Sequence, residues 1–275
     1  SIIQMMISKE ELKNNGVVYR KKIITIDEVE SFKSILNKNN AVGKDNLNGF
    51  FSVSFNQLIK DFIKLRFRKA FYSIKLIKFT QKNKFKLIAD SYFGEPSRLV
   101  KIDSYISKID NEKIIDWHND MAYSGEVNVQ EKDLYDPNRA SLKFFLFLTD
   151  VSQDNGDLAF IKKSSKITLA LKQLFFSKKI KYEPHWKLRD FREIIKRKNI
   201  KDLIAKNSKI DLGQINEFIE YTNFIENNND TYKFDNYTEK GDLMIFDENG
   251  FHRASPPLKK TRYVMRFIFC RESFV

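Results

Sequence analysis

Gly241-Asp-Leu-Met-Ile-Phe-Asp247, then Phe251-His-Arg-Ala254, then Thr261-Arg-Tyr-Val-Met-Arg-Phe-Ile-Phe269 reads as three short strands in close succession. Branched and aromatic residues fill each run, and Gly, Asn and Pro punctuate the gaps. Between the last two runs stands Ser255-Pro256-Pro257. Proline fixes φ and donates no backbone hydrogen bond, so the chain must reverse there and the third run can lie beside the second. Upstream, Val100 to Ser107, Leu142 to Thr149 and Leu158 to Ile161 have the same character, and Asp154-Asn155-Gly156 is a strong turn signal between the last two. Many short antiparallel strands predict a mainly β chain with flanking helices, its core a sandwich or jelly roll.

The rest of the chain is patterned for helix. Residues 16–24 read as a short opening strand, and Thr25-Ile-Asp-Glu28 fits a capping box for a helix carrying Val29, Phe32 and Leu36 on one face. Residues 56–80 are predicted helical. Residues 164–230 show helical spacing and little strand pattern, ending at the breaker Asn227-Asn-Asn-Asp230. The expected organisation is one domain over 1–275. It has an N-terminal strand and helices (16–98), a β core (99–163 and 231–271) and a helical insertion (164–230).

Composition narrows the setting. With 275 residues, 42% of them hydrophobic and 25 phenylalanines, the chain can bury a sizeable core. Cys270 is the only cysteine, so no internal disulfide can form, which favours a reducing compartment and predicts a cytoplasmic protein. No apolar run reaches the length of a transmembrane helix, and Ser1-Ile-Ile-Gln-Met-Met6 lacks the pattern of a signal peptide. The net charge of +13 is concentrated in two segments: +12 within residues 161–210 and +9 within 60–88, which leaves the remainder acidic.

Three histidines are present. Trp117-His118-Asn119-Asp120 places His118 and Asp120 two residues apart, and on an extended chain such residues share a face. Both can reach one metal, and His252, at the start of a late strand, is the candidate third ligand. Two imidazoles and one carboxylate on one face of an octahedral metal leave open positions, as in the facial triad of non-haem Fe(II) oxygenases. Ten residues after His252 comes Arg262, whose guanidinium could bind a cosubstrate carboxylate in a bidentate fork. Arg266 shares its strand face and is the second candidate. His185, beside Trp186 in the insertion, reads as a surface helix residue.

In these pieces the chain resembles the phytanoyl-CoA dioxygenase family of Fe(II)/2-oxoglutarate oxygenases. The matching segments are Gly16–Leu36, Trp117–Asp120, Leu142–Lys166 with Asn155-Gly156-Asp157-Leu158, and Lys240–Phe269, about half the chain. The resemblance implies a double-stranded β-helix, a jelly-roll or cupin-like core flanked by helices, with the metal in its mouth. It implies that His118, Asp120 and His252 hold Fe(II), that Arg262 binds the cosubstrate 2-oxoglutarate, and that Phe145 and Ser104 line the cosubstrate pocket. The implied reaction is oxidative decarboxylation of 2-oxoglutarate to succinate and CO2 with O2, coupled to hydroxylation of a C–H bond. Asp120 occupies the position a halide would need, which argues against halogenation. The chain departs from the family at Ser164-Ser165-Lys166, where Gly-Ser-His is usual.

The insertion is the least familial part. Residues 186–204 combine Trp186, Leu188, Phe191, Ile194, Ile195, Leu203 and Ile204 with lysines and arginines, a basic amphipathic helix pattern. One reading is an outer helix or lid with its lysines in solvent. The other is a surface for an anionic substrate: a small molecule, a lipid- or glycan-linked molecule, a carrier, or anionic lipid met peripherally. Nucleic acid ranks below these, because no DNA-binding motif is present. The alternatives to a hydroxylase are a non-catalytic binding protein on the same fold and a nucleic-acid demethylase.

Overall fold

A computed structural model describes residues 10–38, 47–109, 116–125, 129–151, 155–228 and 238–274. Among these residues, eight strands form two sheets. The strands are β1 (Val17–Arg20), β2 (Leu47–Phe51), β3 (Ser97–Ser107), β4 (Ser141–Phe147), β5 (Leu158–Phe160), β6 (Leu243–Asp247), β7 (His252–Ala254) and β8 (Arg262–Arg271). The large sheet has the order β1-β6-β4-β8-β3-β2, antiparallel throughout, and β5 pairs with β7 in the small one. The sequence signals for β4 and β5 hold, but the two do not form a hairpin: the chain crosses from one sheet to the other between them. Asp154 lies outside the described residues, whereas Gly156 sits in the turn at φ +78°.

Strand alternation explains the layers. In β4, Leu142, Phe144 and Leu146 point to one face of the large sheet, where they meet Met265 and Phe267 of β8 and the N-terminal helices. These helices are α1 (Ile26–Lys38), α2 (Phe55–Ile63), α3 (Phe67–Lys82) and α4 (Phe85–Phe93). Phe145 and Phe147 point the other way, into a second cluster with Val264, Phe246, Leu158 and Phe160 that fills the space between the sheets. A central strand buried on both faces reads as a continuous apolar run, which is why Leu142–Leu148 shows little alternation in sequence. The capping box at Thr25 forms as expected: Glu28 N–H donates to Thr25 Oγ1, and Thr25 N–H donates to the Glu28 carboxylate.

After the short helix α5 (Glu131–Tyr135) come four helices of the insertion. These are α6 (Ser164–Phe176), α7 (Leu188–Ile195), α8 (Lys198–Asn207) and α9 (Leu212–Asn227). They build a third apolar cluster on the outer side of the small sheet, where Leu171, Phe191, Ile204 and Phe218 pack with Trp117, Ala159 and Phe251. The single amphipathic pattern over 186–204 is in fact two helices, with Leu188, Phe191, Ile194, Ile195, Ile200 and Ile204 buried. Residues 229–230 of the predicted breaker fall outside the described residues. Helix therefore exceeds strand among the described residues. This corrects the expectation of a mainly β chain, because the helical layers on both sides outweigh a core of short strands. Among the described residues, no helix is long and apolar enough to cross a membrane.

Candidate metal centre

His118, Asp120 and His252 converge, although the first two stand far from the third in sequence. His118 and His252 face each other as a backbone bridge, each N–H donating to the other's carbonyl at 3.0 Å. Their rings lie 4.5 Å apart. The Asp120 carboxylate stands between the imidazoles, with Oδ1 3.3 Å from His118 Nε2 and Oδ2 3.4 Å from His252 Nε2. One donor atom from each of the three lies within 4.8 Å of the others. Trp117 and Asn119, the flanking residues of His118, are buried.

The tautomers suit a metal. Nδ1 of His118 lies 2.8 Å from the carbonyl of Asp116, and Nδ1 of His252 lies 3.1 Å from that of Gly250. Each carbonyl accepts the Nδ1 proton, so both Nε2 lone pairs face Asp120. Burial lowers the pKa of His252 against the pull of Asp120, which keeps the ring neutral at neutral pH. Burial works to raise the Asp120 carboxyl, but the Lys143 ammonium beside it outweighs this and holds it well below the usual carboxylate range. Two neutral imidazole nitrogens and an ionised carboxylate, partly open to solvent, are a donor set that fits a divalent transition metal.

Lys143 is the residue that sequence reading missed. It is the one charge in the apolar run of β4, and that break in pattern was the available signal. Its Nζ bridges Asp120 Oδ2 at 2.7 Å and Glu248 Oε1 at 2.5 Å, and the Ser141 hydroxyl donates to the other Glu248 oxygen. Burial disfavours its ammonium, but Asp120 and Glu248 more than compensate and raise its pKa. Lys143 thereby fixes the orientation of the Asp120 carboxylate.

Arg262 and Arg266 both point between the sheets, but their situations differ. Arg266 is taken up by Asp103, with Nε to Oδ1 at 2.7 Å and Nη2 to Oδ2 at 2.5 Å, and it stacks over the Tyr105 ring. Arg262 is equally buried, yet no carboxylate among the described residues forms an ion pair with it. It donates to the Gly156 carbonyl and to Ser107 Oγ at 3.2 Å, and its Nε has no hydrogen-bond partner among the described residues. Burial pushes its pKa down to about 10. Gly156 permits this packing, because a Cβ there would stand 2.9 Å from Arg262 Cδ. Asp157 and Tyr105 act on this guanidinium only as neighbouring charges, and a buried guanidinium that forms no ion pair among the described residues fits an anionic ligand.

Phe145 lies on the inner face, packed on Phe147 and, through Phe246, one ring from His252. The expectation for Ser104 needs correcting. Ser104 pairs with Met265 and shares the face of Ile102 and Ile106, towards the helices, and the inner-face positions of β3 are Asp103, Tyr105 and Ser107. A one-residue shift in reading a strand exchanges its faces. His185 is corrected as well: it is fully buried outside any helix, packed on Phe175 and Tyr182, and burial pushes its pKa down to about 3.

No protein-family model matches the chain, and no curated protein matches it either. Solved structures do. The epimerase SnoN, in complex with Fe3+, alpha ketoglutarate and nogalamycin RO, aligns over 98% of this chain and 85% of its own, with a TM-score of 0.52 and 13% identity. The non-heme alpha ketoglutarate dependent carbocyclase SnoK aligns over 96% and 83%, with a TM-score of 0.51 and 12% identity. AviO1 from Streptomyces viridochromogenes Tue57 aligns over 98% and 96%, with a TM-score of 0.50 and 12% identity. At such identities the likeness is one of fold: an antiparallel sheet with helices, matched over nearly all of this chain.

Proposed function

We propose that this chain is an Fe(II)- and 2-oxoglutarate-dependent oxygenase of the phytanoyl-CoA dioxygenase type, one domain on a double-stranded β-helix. The observation that carries this reading is the convergence of His118, Asp120 and His252 with both Nε2 atoms turned inward. Arg262 supports it as the anchor for the far carboxylate of 2-oxoglutarate. Iron(II) with 2-oxoglutarate and O2 supplies the oxidising power to remove hydrogen from an unactivated C–H bond, with release of succinate and CO2. The chain's own residues hold and orient: Lys143 fixes Asp120, the carbonyls of Asp116 and Gly250 fix the imidazoles, and Phe145 and Phe246 keep water from the interior.

The substrate we propose is anionic. Lys187 of the insertion pairs with His118 across the backbone and is exposed beside the site, next to Trp186 and Tyr123. A separate cleft of about 640 Å³ behind β5, which none of the three ligands lines, is rimmed by Lys162, Lys163, Lys166 and Lys209 against one acid, Glu217. The structural neighbours include an epimerase and a carbocyclase, so product identification is part of the test.

The test is anaerobic Fe(II) titration followed by assay of 2-oxoglutarate-dependent succinate release. His118→Ala and Asp120→Ala should lose iron binding and turnover while keeping the wild-type circular dichroism. Arg262→Ala should keep iron and weaken 2-oxoglutarate binding by roughly tenfold or more, since a hydrogen bond to a charged group contributes about 1.5–3 kcal/mol. Undiminished iron binding by Asp120→Ala would refute the assignment.

A further inference from the structure

Helix α2 is amphipathic in the wrong sense for a surface helix. Ser54 caps it, accepting from Gln57 N–H, while Val53 N–H donates to the Gln57 side chain, so its rotation is fixed locally. Its one buried side chain is Asp61. That carboxylate accepts from the Ser52 hydroxyl at 2.5 Å and pairs with Lys69 of α3 at 3.4 Å. The polar anchor points inward and the apolar residues point out: Phe55 and Ile63 are each 75% exposed, and Phe62, Phe67 and Phe71 are exposed beside them.

The turn between α2 and α3 adds an independent observation. Leu65 N–H donates to Phe62 O and Arg66 N–H donates to Asp61 O, the two bonds of a Schellman stop. The residue in the left-handed position of such a stop is usually glycine. Here it is Leu65, at φ 56° and 74% exposed. The chain accepts an unfavourable backbone in order to hold a leucine side chain at the tip of the hairpin, in water. The same stop after α6 places a lysine, Lys178, in the left-handed position, so what distinguishes the α2 turn is the apolar side chain it holds out in water.

The charges say which contact. Within residues 55–71 the cations are Lys60, Lys64, Arg66, Arg68 and Lys69, and the one acid, Asp61, is turned inside. A second copy of this chain would bring the same positive charge against itself. The complementary surface is anionic and accepts protruding aromatic and aliphatic side chains, as the headgroup–acyl boundary of a membrane does. We propose that the Phe55–Phe71 hairpin seats the protein peripherally on an anionic lipid surface. Phe62, Leu65 and Phe67 enter the boundary, and Lys60, Lys64, Arg66 and Arg68 meet the headgroup anions. The proposal is independent of the metal chemistry.

The experiment is flotation of the full chain with vesicles of phosphatidylcholine alone and of phosphatidylcholine mixed with phosphatidylglycerol, at low and high salt. Wild type should bind the mixed vesicles, bind neutral ones weakly, and lose binding as salt rises. Phe62→Ser with Phe67→Ser should weaken binding roughly tenfold or more, and Lys64→Glu with Arg66→Glu should abolish the preference for the anionic vesicles. Both variants should keep the wild-type melting temperature, because the altered side chains are exposed. Failure of wild type to bind the mixed vesicles at low salt, as an acidic protein partner would predict, overturns the proposal. So does equal binding by wild type and the double serine variant, or a dimer that the serine substitutions disperse.

Discussion

The chain has two basic helical regions, and they solve opposite problems. In the insertion, α7 turns Leu188, Phe191, Ile194 and Ile195 inward and leaves its charges in solvent, except Arg192, which is buried against Glu226. In the N-terminal hairpin, α2 turns an aspartate inward and leaves phenylalanines in solvent. Both read in sequence as apolar residues mixed with lysine and arginine. Periodicity reports that a helix has two faces, but which face the fold covers depends on what packs against it. The insertion is a layer of the folded protein, and the hairpin is a surface presented to something else.

The largest effect that tests this contrast is expected in α7. Phe191 is fully buried, with its ring against Phe218 and Phe251. Phe191→Ala should cost about 3–5 kcal/mol in urea unfolding, and a cost near zero would place the insertion outside the cooperative unit. Next comes Lys172 of α6, fully buried with Nζ donating to Asn249 Oδ1 at 2.7 Å. Burial pushes its pKa down to about 7, whereas an unfolded lysine keeps its proton to about 10.4. Between these values the unfolded state binds more protons, so stability should rise with pH from neutrality towards 10. Lys172→Met should flatten that rise, and an unchanged pH profile would show that Lys172 is not its source.

The hairpin should respond less. Asp61→Ala leaves the Ser52 hydroxyl and the Lys69 ammonium without their acceptor and should cost about 1–3 kcal/mol. The smallest change should come from Phe62→Ser, within about 0.5 kcal/mol of wild type in unfolding, because the ring contributes little to the core. A loss from Phe62→Ser comparable to that from Phe191→Ala would erase the distinction between the two regions.

Much of the fold was legible because strands and caps leave local marks. The runs around Phe144, Ile245 and Phe267 and the capping box at Thr25 lie within a few residues of the structure they specify, whereas the Pro256-Pro257 turn does not set the last run beside the one before it: β7 pairs with β5 in the small sheet and β8 with β3 and β4 in the large one. The His-x-Asp spacing was legible for the same reason: alternation alone puts His118 and Asp120 on one face. What was not legible depended on contacts distant in sequence. The assignment of β4 and β5 to different sheets, the inward turn of Tyr105 rather than Ser104, and the burial of His185 are set by partners far along the chain. Lys143 stood in plain view as a charge inside an apolar strand, but its meaning required Asp120 and Glu248 to be brought to it. Likewise, nothing local separates Arg262 from Arg266. Asp103 claims one and leaves the other.

The bridge between His118 and Lys187 bears on how this protein could be remodelled. Leu188 N–H donates to the Trp117 carbonyl and Asn119 N–H donates to that of Trp186, so chain from the insertion serves as the neighbouring strand of the ligand-bearing segment. Excising residues 164–228 would therefore not leave a smaller working core. It would strip hydrogen bonds from both sides of His118 and expose the outer faces of Trp117 and Phe251. In modular terms, the insertion can be resculpted along its outer helices to alter what approaches the site, but its Trp186–Leu188 segment belongs to the scaffold.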